Sequence, residues 1–308
     1  MGHIYDVIII GGGAGGYSAA LYCARAGLDT LVFERASGGG QMSEAAQIEN
    51  YPGYDSGIDG FELGMRMKAG AERFGACTIN AEVTKAELTK DIKAVNIADG
   101  TYSSRTVIIA TGAEHRKLQL PNETHLVGNG VSYCAVCDGM FFKNKTTAVI
   151  GGGDTAATAA LLLSRICKKV FLIHRKDALS AAKIYHESIF GTENIEFYKS
   201  FNVTELVGKD KLDGIKIKSS NQDKELSLSC DGVFICIGRT PMTELFFDEV
   251  MLDRNGYVCA DETTRTNLPG VFAVGDVRSK TVRQVVTAAS DGAVSAHYVQ
   301  QYLSDKSR

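Results

Sequence analysis

One glycine-rich turn occurs twice in this chain, each time between a short apolar run and a helix-like stretch. Tyr5-Asp6-Val7-Ile8-Ile9-Ile10 runs into Gly11-Gly12-Gly13-Ala14-Gly15-Gly16, and Thr147-Ala148-Val149-Ile150 runs into Gly151-Gly152-Gly153-Asp154-Thr155-Ala156. Gly11, Gly13 and Gly16 fit G-x-G-x-x-G; Gly151, Gly153 and Ala156 fit G-x-G-x-x-A, 140 residues later. In this pattern the first glycine permits a tight turn and the second lets backbone approach a pyrophosphate. The third position allows close helix–strand packing. Continuous β-branched runs bounded by turns read as buried parallel strands. The repeat therefore predicts an α/β chain with two Rossmann-like dinucleotide-binding units. At 308 residues the chain is also long for a single core.

The copies differ at the end of their second strand. In the first, a helix over 17–26 stops at Gly27, and a strand over 30–33 ends at Glu34, 23 residues after Gly11. A carboxylate there accepts hydrogen bonds from ribose hydroxyls. In the second, a helix over 157–166 and a strand over 169–173 lead to His174, Arg175 and Lys176. A carboxylate repels a ribose 2′-phosphate and cations attract it. The first copy thus suits FAD and the second NADPH, with Gly151, Gly153, Asp154, Thr155, Ala156, His174, Arg175 and Lys176 as candidate contacts. Two alternatives stand beside this: a single working site with a decayed copy, and Arg175 and Lys176 as a solvated strand end.

Elsewhere, 37–41 and 48–53 read as loops, 61–76 as a helix and 81–105 as antiparallel strands. Residues 106–112 form a buried strand ending in small residues. Residues 195–228 read as further strands, 232–238 as a central strand, 239–241 as a crossing loop and 271–276 as a last buried strand. A final helix spans 284–302.

The stretch Ser132-Tyr133-Cys134-Ala135-Val136-Cys137-Asp138-Gly139 carries the chemistry. Two cysteines at this spacing can bond, and the spacing can lower one thiol's pKa. Asp138 can pass a proton to or from a thiolate. C-x-x-C is also half of a zinc site, but a structural zinc needs four ligands and no second C-x-x-C or H-x-x-x-H is present. Two buried structural cysteines are the other alternative. Eight cysteines in 308 residues is no disulfide scaffold. With no basic leader before an apolar run, a cytosolic, reducing location is expected, where C-x-x-C is more often catalytic. Cys230 and Cys236 read as core, and Cys23, Cys77, Cys167 and Cys259 as packing residues. The formal charge of −3 gives no reason to expect nucleic acid or an anionic membrane as partner, and no apolar run approaches 18 residues.

Taken together, the two glycine-rich units, Ala110-Thr111-Gly112, the Cys134–Asp138 stretch, His174-Arg175, Gly275-Asp276 and Arg283-Gln284 resemble the low-molecular-weight, bacterial-type thioredoxin reductases over essentially the full length. That resemblance implies two three-layer ββα domains, the second inserted in the first. An FAD domain would comprise 1–114 and 244–308, and 115–243 would carry the pyridine nucleotide and the cysteines. It implies flavin contacts from Gly11, Gly13, Ala14, Gly16, Glu34, Gln41, Asn50, Thr111, Gly112, Gly275, Asp276, Arg283 and Gln284, with Asp276 on the ribityl chain. It further implies that Cys137 sits against the flavin, that Cys134 attacks the disulfide of thioredoxin and that Asp138 is the acid/base. A homodimer whose domains rotate between two states is also implied.

The chain departs from that family at three places. Val136 stands where Thr is usual, and Thr158-Ala159 where two acids are usual. The family's 2′-phosphate motif, His-Arg-Arg, three intervening residues and a further Arg, runs His174-Arg175-Lys176-Asp177-Ala178-Leu179-Ser180 here. NADPH is the expected donor. NADH, or ferredoxin acting without a pyridine nucleotide, are the alternatives, as is a glutaredoxin-like partner in place of thioredoxin.

Overall fold

The computed structural model describes residues 3–35, 38–45 and 47–306; Ser37, which begins one expected loop, lies outside them. Contacts divide the chain into two compact units, Met1–Glu114 with Thr240–Arg308, and His115–Arg239.

The first unit opens with β1 (Ile4–Ile10), α1 (Ala14–Arg25), β2 (Thr30–Glu34), α2 (Gly60–Glu72) and β3 (Cys77–Asn80). A meander follows: β4 (Val83–Glu87), β5 (Lys93–Ile97) and β6 (Gly100–Ile109). β7 (Ala113–His115) leads into the second unit, which holds α3 (Glu123–Leu126), β8 (Val131–Ser132), α4 (Ala135–Asp138), β9 (Thr146–Ile150), α5 (Asp154–Ser164) and β10 (Lys169–His174). It continues with α6 (Ile184–Phe190), β11 (Ile195–Lys199), β12 (Phe201–Val207), β13 (Gly214–Ser219), β14 (Glu225–Ser229) and β15 (Gly232–Ile235). β16 (Arg239–Pro241) brings the chain back to β17 (Val271–Ala273) and α7 (Val285–Lys306).

In the first unit the sheet order is β3-β2-β1-β6-β5-β4, with β17 also on β6. β1, β2, β3, β6 and β17 run parallel, whereas β4, β5 and β6 pair antiparallel. Both faces of β1 are buried, which is why its sequence reads as an unbroken apolar run. Val7 and Ile9 pack with Tyr17, Ala20, Ala296 and Val299 of α1 and α7. Ile8 and Ile10 pack with Val83, Ala86, Val95 and Ile97 of the meander. Each such branched side chain is worth about 1.5–3 kcal/mol of burial.

The second unit repeats the plan. Its parallel sheet has the order β11-β10-β9-β15-β8, and an antiparallel sheet β12-β13-β14 accompanies it. Val149 and Leu172 pack on Ala156, Ala160 and Leu163 of α5. Ala148, Ile150 and Ile173 pack on Leu206, Ile215 and Ile217. Helix, parallel sheet and antiparallel strands thus form three layers in each unit.

Several expected elements shift. α1 and α5 begin at Ala14 and Asp154 rather than at 17 and 157, because the closing residues of each glycine-rich turn already lie in the first helical turn. α2 ends at Glu72, short of 76, where Gly75 takes φ +101°. Residues 106–109 are not a separate strand but the second half of β6. β17 stops at Ala273, before the expected 276. Residues 239–241, expected as a loop, form β16 and pair with β7. Several elements were not foreseen, among them β3, β7, α3, β8 and α6. β3 is a half-exposed edge strand, and α6 carries Ile184 and Phe190 on its exposed surface, so it shows no clean apolar stripe.

Candidate nucleotide sites and redox disulfide

At the first glycine-rich turn Gly11 has φ +108°, and a Cβ there would meet the Ala110 carbonyl oxygen at 2.4 Å. A Cβ on Gly16 would meet the Gly11 oxygen at 1.9 Å, so helix and turn approach as closely as backbone allows. Gly13 differs: its Cβ position has nothing within 4 Å. Gly13 caps α1 without a side-chain hydrogen bond, and no acid lies in the first turn of the helix. Such an end presents N–H groups to an anion. The Gly12 N–H donates to Glu34 Oε2 at 2.5 Å, which draws the strand-end carboxylate against the turn. A pyrophosphate at Gly13 and a ribose near Glu34 fit these residues.

The second turn keeps the backbone and changes the chemistry. Gly151 has φ +146°, and Gly153 again has open space at its Cβ position. Where Glu34 meets Gly12, the His174 ring packs on Gly152, with Nδ1 2.2 Å from where a Cβ would stand. His174 is buried. Burial first, then the Lys176 and Arg175 charges, lower its pKa, so it is neutral at pH 7 and adds no cation. Arg175 and Lys176 are exposed. Asp154 Oδ1 accepts the Ala182 N–H at 2.7 Å, and the Ser180 and Ala181 N–H groups donate to the Gly152 carbonyl. The segment after β10 is thereby latched onto the turn. Thr155 and Ala156 lie in the first turn of α5.

The other first-unit candidates lie in loops and single turns. Asn50 Nδ2 donates to Gln284 Oε1 at 3.0 Å across 234 residues of sequence. Gln41 Nε2 donates to the Ala113 carbonyl. Thr111 Oγ1 donates to the Met242 carbonyl at 2.6 Å, and the Met242 N–H to the Gly112 carbonyl. Gly275 and Asp276 lie in a single 3₁₀ turn. Arg283 braces that turn: Nε donates to the Asp276 carbonyl, and the guanidinium lies 4.0 Å from the centroid of the Tyr257 ring.

In the second unit, Cys134 and Cys137 form a disulfide with Cα atoms 5.3 Å apart. Cys134 caps the single turn of α4, its Sγ accepting the Cys137 N–H at 3.2 Å. Once reduced, that N–H favours a thiolate at Cys134. Ala135 anchors the turn in the core around α5, while Val136 is 65% exposed. Ser132 Oγ donates to Asp138 Oδ2 at 2.5 Å and accepts the Cys134 N–H at 3.0 Å. Among the described residues, no group of three or more His, Cys, Asp or Glu could hold a metal ion. Cys23, Cys167, Cys230 and Cys236 are buried, but Cys77 is exposed and Cys259 intermediate, so the packing role expected for these two does not describe Cys77.

Two contributors escaped the sequence reading. Ser132 sits one strand position from a cysteine motif and carries no motif of its own. Asp291 accepts the Gly275 N–H at 2.9 Å and pairs with Arg278 at 3.1 Å and Lys280 at 2.8 Å, with Arg278 and Asp291 almost fully buried. Nothing but its place one helical stretch after Gln284 marks it in the sequence.

Residues 5–292 match the family model of the pyridine nucleotide-disulphide oxidoreductases, and the chain belongs to that family. A thioredoxin reductase of Listeria monocytogenes is 46% identical over 303 residues, spanning 98% of this chain and 95% of the relative. One of Streptomyces coelicolor is 46% identical over 307 residues, spanning 99% and 95%. A solved thioredoxin reductase of Streptococcus pyogenes superposes with a TM-score of 0.92 at 42% identity, covering 98% of this chain and 99% of that one. Within the family, the chain therefore groups with the low-molecular-weight, bacterial-type thioredoxin reductases.

Proposed function

We propose that this protein is an FAD-dependent reductase of the thioredoxin disulfide, with NADPH as electron donor. Its FAD-binding residues are Gly11, Gly13, Ala14, Gly16, Glu34, Gln41, Asn50, Thr111, Gly112, Gly275, Asp276, Arg283 and Gln284. The second turn, with Asp154, Thr155, Arg175 and Lys176, takes the nicotinamide dinucleotide. FAD, when bound, supplies two-electron transfer between a nicotinamide and a disulfide.

The chain's own residues do the sulfur chemistry. Two electrons and two protons open the Cys134–Cys137 bond to two thiols. The Cys134 thiolate attacks one sulfur of the partner disulfide, forming a mixed disulfide and releasing a partner thiolate. Cys137 then attacks Cys134 Sγ, which re-forms the internal disulfide and releases the second partner thiolate. Asp138, held by Ser132, takes the proton from the attacking thiol and gives it to the leaving one. Thioredoxin lies near about −270 mV, so a donor at or below that potential drives the cycle.

The observation that carries this reading is the Cys134–Cys137 disulfide with Asp138 hydrogen-bonded to Ser132 beside it. The test is anaerobic titration of the yellow holoprotein with NADPH, NADH and reduced ferredoxin, followed by addition of oxidised thioredoxin. Bleaching by NADPH and recovery with thioredoxin are expected, and Cys134→Ser should bleach but not recover. Bleaching by ferredoxin alone overturns the donor assignment; recovery in Cys134→Ser overturns the dithiol assignment. The reading takes the enzyme as a cytoplasmic homodimer, and sedimentation of the holoprotein tests the dimer.

A further inference from the structure

The residues after β10 present an unusual charge pattern for a site that is to hold a 2′-phosphate. His174 is buried and neutral, and Ser180 brings no charge. Ser180 is also engaged elsewhere: its N–H and its Oγ both donate to the Gly152 carbonyl, at 2.8 and 3.0 Å. Arg175 and Lys176 are the exposed cations on this strand end. A further cation reaches the same place from the next strand. Lys199 is the last residue of β11 and the register partner of His174, the last residue of β10. The Ser200 N–H donates to the Lys176 carbonyl at 3.0 Å, which ties the two strand ends together beyond the sheet. Lys199 Nζ lies 3.3 Å from Asp177 Oδ1, and both side chains are mostly exposed. In an open parallel sheet, ligands bind outside the carboxyl ends of the strands, and neighbouring strands there are about 4.8 Å apart.

We infer that Lys199 is a specificity-determining residue for the donor. It supplies, from β11, the cation at the 2′-phosphate that position 180 does not, and Asp177 holds its ammonium at the site's edge until a phosphate replaces the carboxylate. This rests on the reading of the donor as NADPH. Lys199 is a point charge on a flexible stem, so it can exchange one anion for another with little rearrangement.

Calorimetric binding of two probes to the holoprotein tests this without turnover. Adenosine 2′,5′-bisphosphate carries the 2′-phosphate, and adenosine 5′-phosphate lacks it. In Lys199→Gln the bisphosphate should bind about tenfold more weakly, with the monophosphate within about twofold of the parent protein. KM for NADPH should rise in step, with kcat and the KM for NADH unchanged. The double variant Lys199→Gln, Ser180→Arg should recover the bisphosphate affinity. Unchanged bisphosphate binding in Lys199→Gln, with the parent still preferring that probe, overturns the role of Lys199 and leaves the NADPH reading intact. A parent protein that binds both probes equally overturns both. Equal weakening of both probes also overturns the inference, since Lys199 would then act on the adenosine moiety or on the fold.

Discussion

Ser132 and Asp138 are joined by a 2.5 Å hydrogen bond that spans the redox disulfide, and the same hydroxyl oxygen accepts the N–H of Cys134. One buried serine therefore fixes both the acid/base and the backbone of the attacking cysteine. General acid–base catalysis is worth about 10²–10⁴ in rate, and it depends on placement. Ser132→Ala should slow thiol–disulfide exchange with thioredoxin by about tenfold, and Asp138→Asn by about a hundredfold. Stopped-flow reduction by NADPH should be unchanged in both. If Ser132→Ala exchanged at the parent rate, the hydroxyl would have no part in placing Asp138.

The buried ion cluster behind Gly275 gives a stability prediction. Asp291 is shared as ion-pair partner by Arg278 and Lys280 in the protein interior. Asp291→Asn keeps the shape and removes the charge, leaving two cations facing each other. A cost of about 3–5 kcal/mol is expected, read as a lowered denaturant midpoint. The Gly275 N–H loses its carboxylate acceptor as well, so the variant should purify with less flavin per chain.

His115 gives a pH prediction. Its ring stacks on Tyr133 at 4.8 Å, and burial, aided by the Arg239 charge, lowers its pKa to about 4. The unfolded chain protonates this residue near pH 6.5 and the folded chain only near 4, so between those values the unfolded state binds more protons. The contribution is therefore complete above pH 6.5 and is lost as pH falls toward 4. About 2–3 kcal/mol is expected across that window. Denaturant midpoints at pH 7.5, 5.5 and 4.5 check it, and His115→Gln should flatten the fall.

Cysteine labelling separates surface from core. Burial pushes the thiols of Cys23, Cys230 and Cys236 up to about 12, and raises that of Cys167. Cys77 lies exposed on an edge strand. Native oxidised protein should thus alkylate first at Cys77, by peptide mass mapping, and reduced protein should add Cys134 and Cys137. Rapid labelling of Cys23 would contradict its burial against α2 and α7.

Much of the fold could be read from residues 5–34 and 147–174. Strands buried on both faces leave long apolar runs, and glycine at Gly11, Gly16 and Gly151 is demanded by carbonyl oxygens that leave no room for a side chain. The disulfide pair was legible for the same reason, since its chemistry needs two cysteines at one spacing. What was not legible depends on long-range partners. Ser132 matters through Asp138, Asp291 through Gly275, and Lys199 through its neighbour on the next strand. α6 left no signal because its apolar residues Ile184 and Phe190 face outward. His174 stands beside Arg175 and Lys176 among the expected donor contacts, but its burial against Gly152 leaves the positive charge to those two.

Both glycine turns are clasped by a loop through the carbonyl of their middle glycine: the Gly39 N–H donates to Gly12 at 3.0 Å, and the Ser180 and Ala181 N–H groups donate to Gly152. The first turn adds a clasp on the amide side, where the Gly12 N–H donates to Glu34 Oε2 at the end of a buried strand; at Gly152 the His174 ring packs in the corresponding place. A bond to a carboxylate is about twice as strong as one between neutral groups. The duplicated architecture thereby gives its first copy the stiffer cradle, which suits a tenant that stays, and its second the softer one, which suits a visitor.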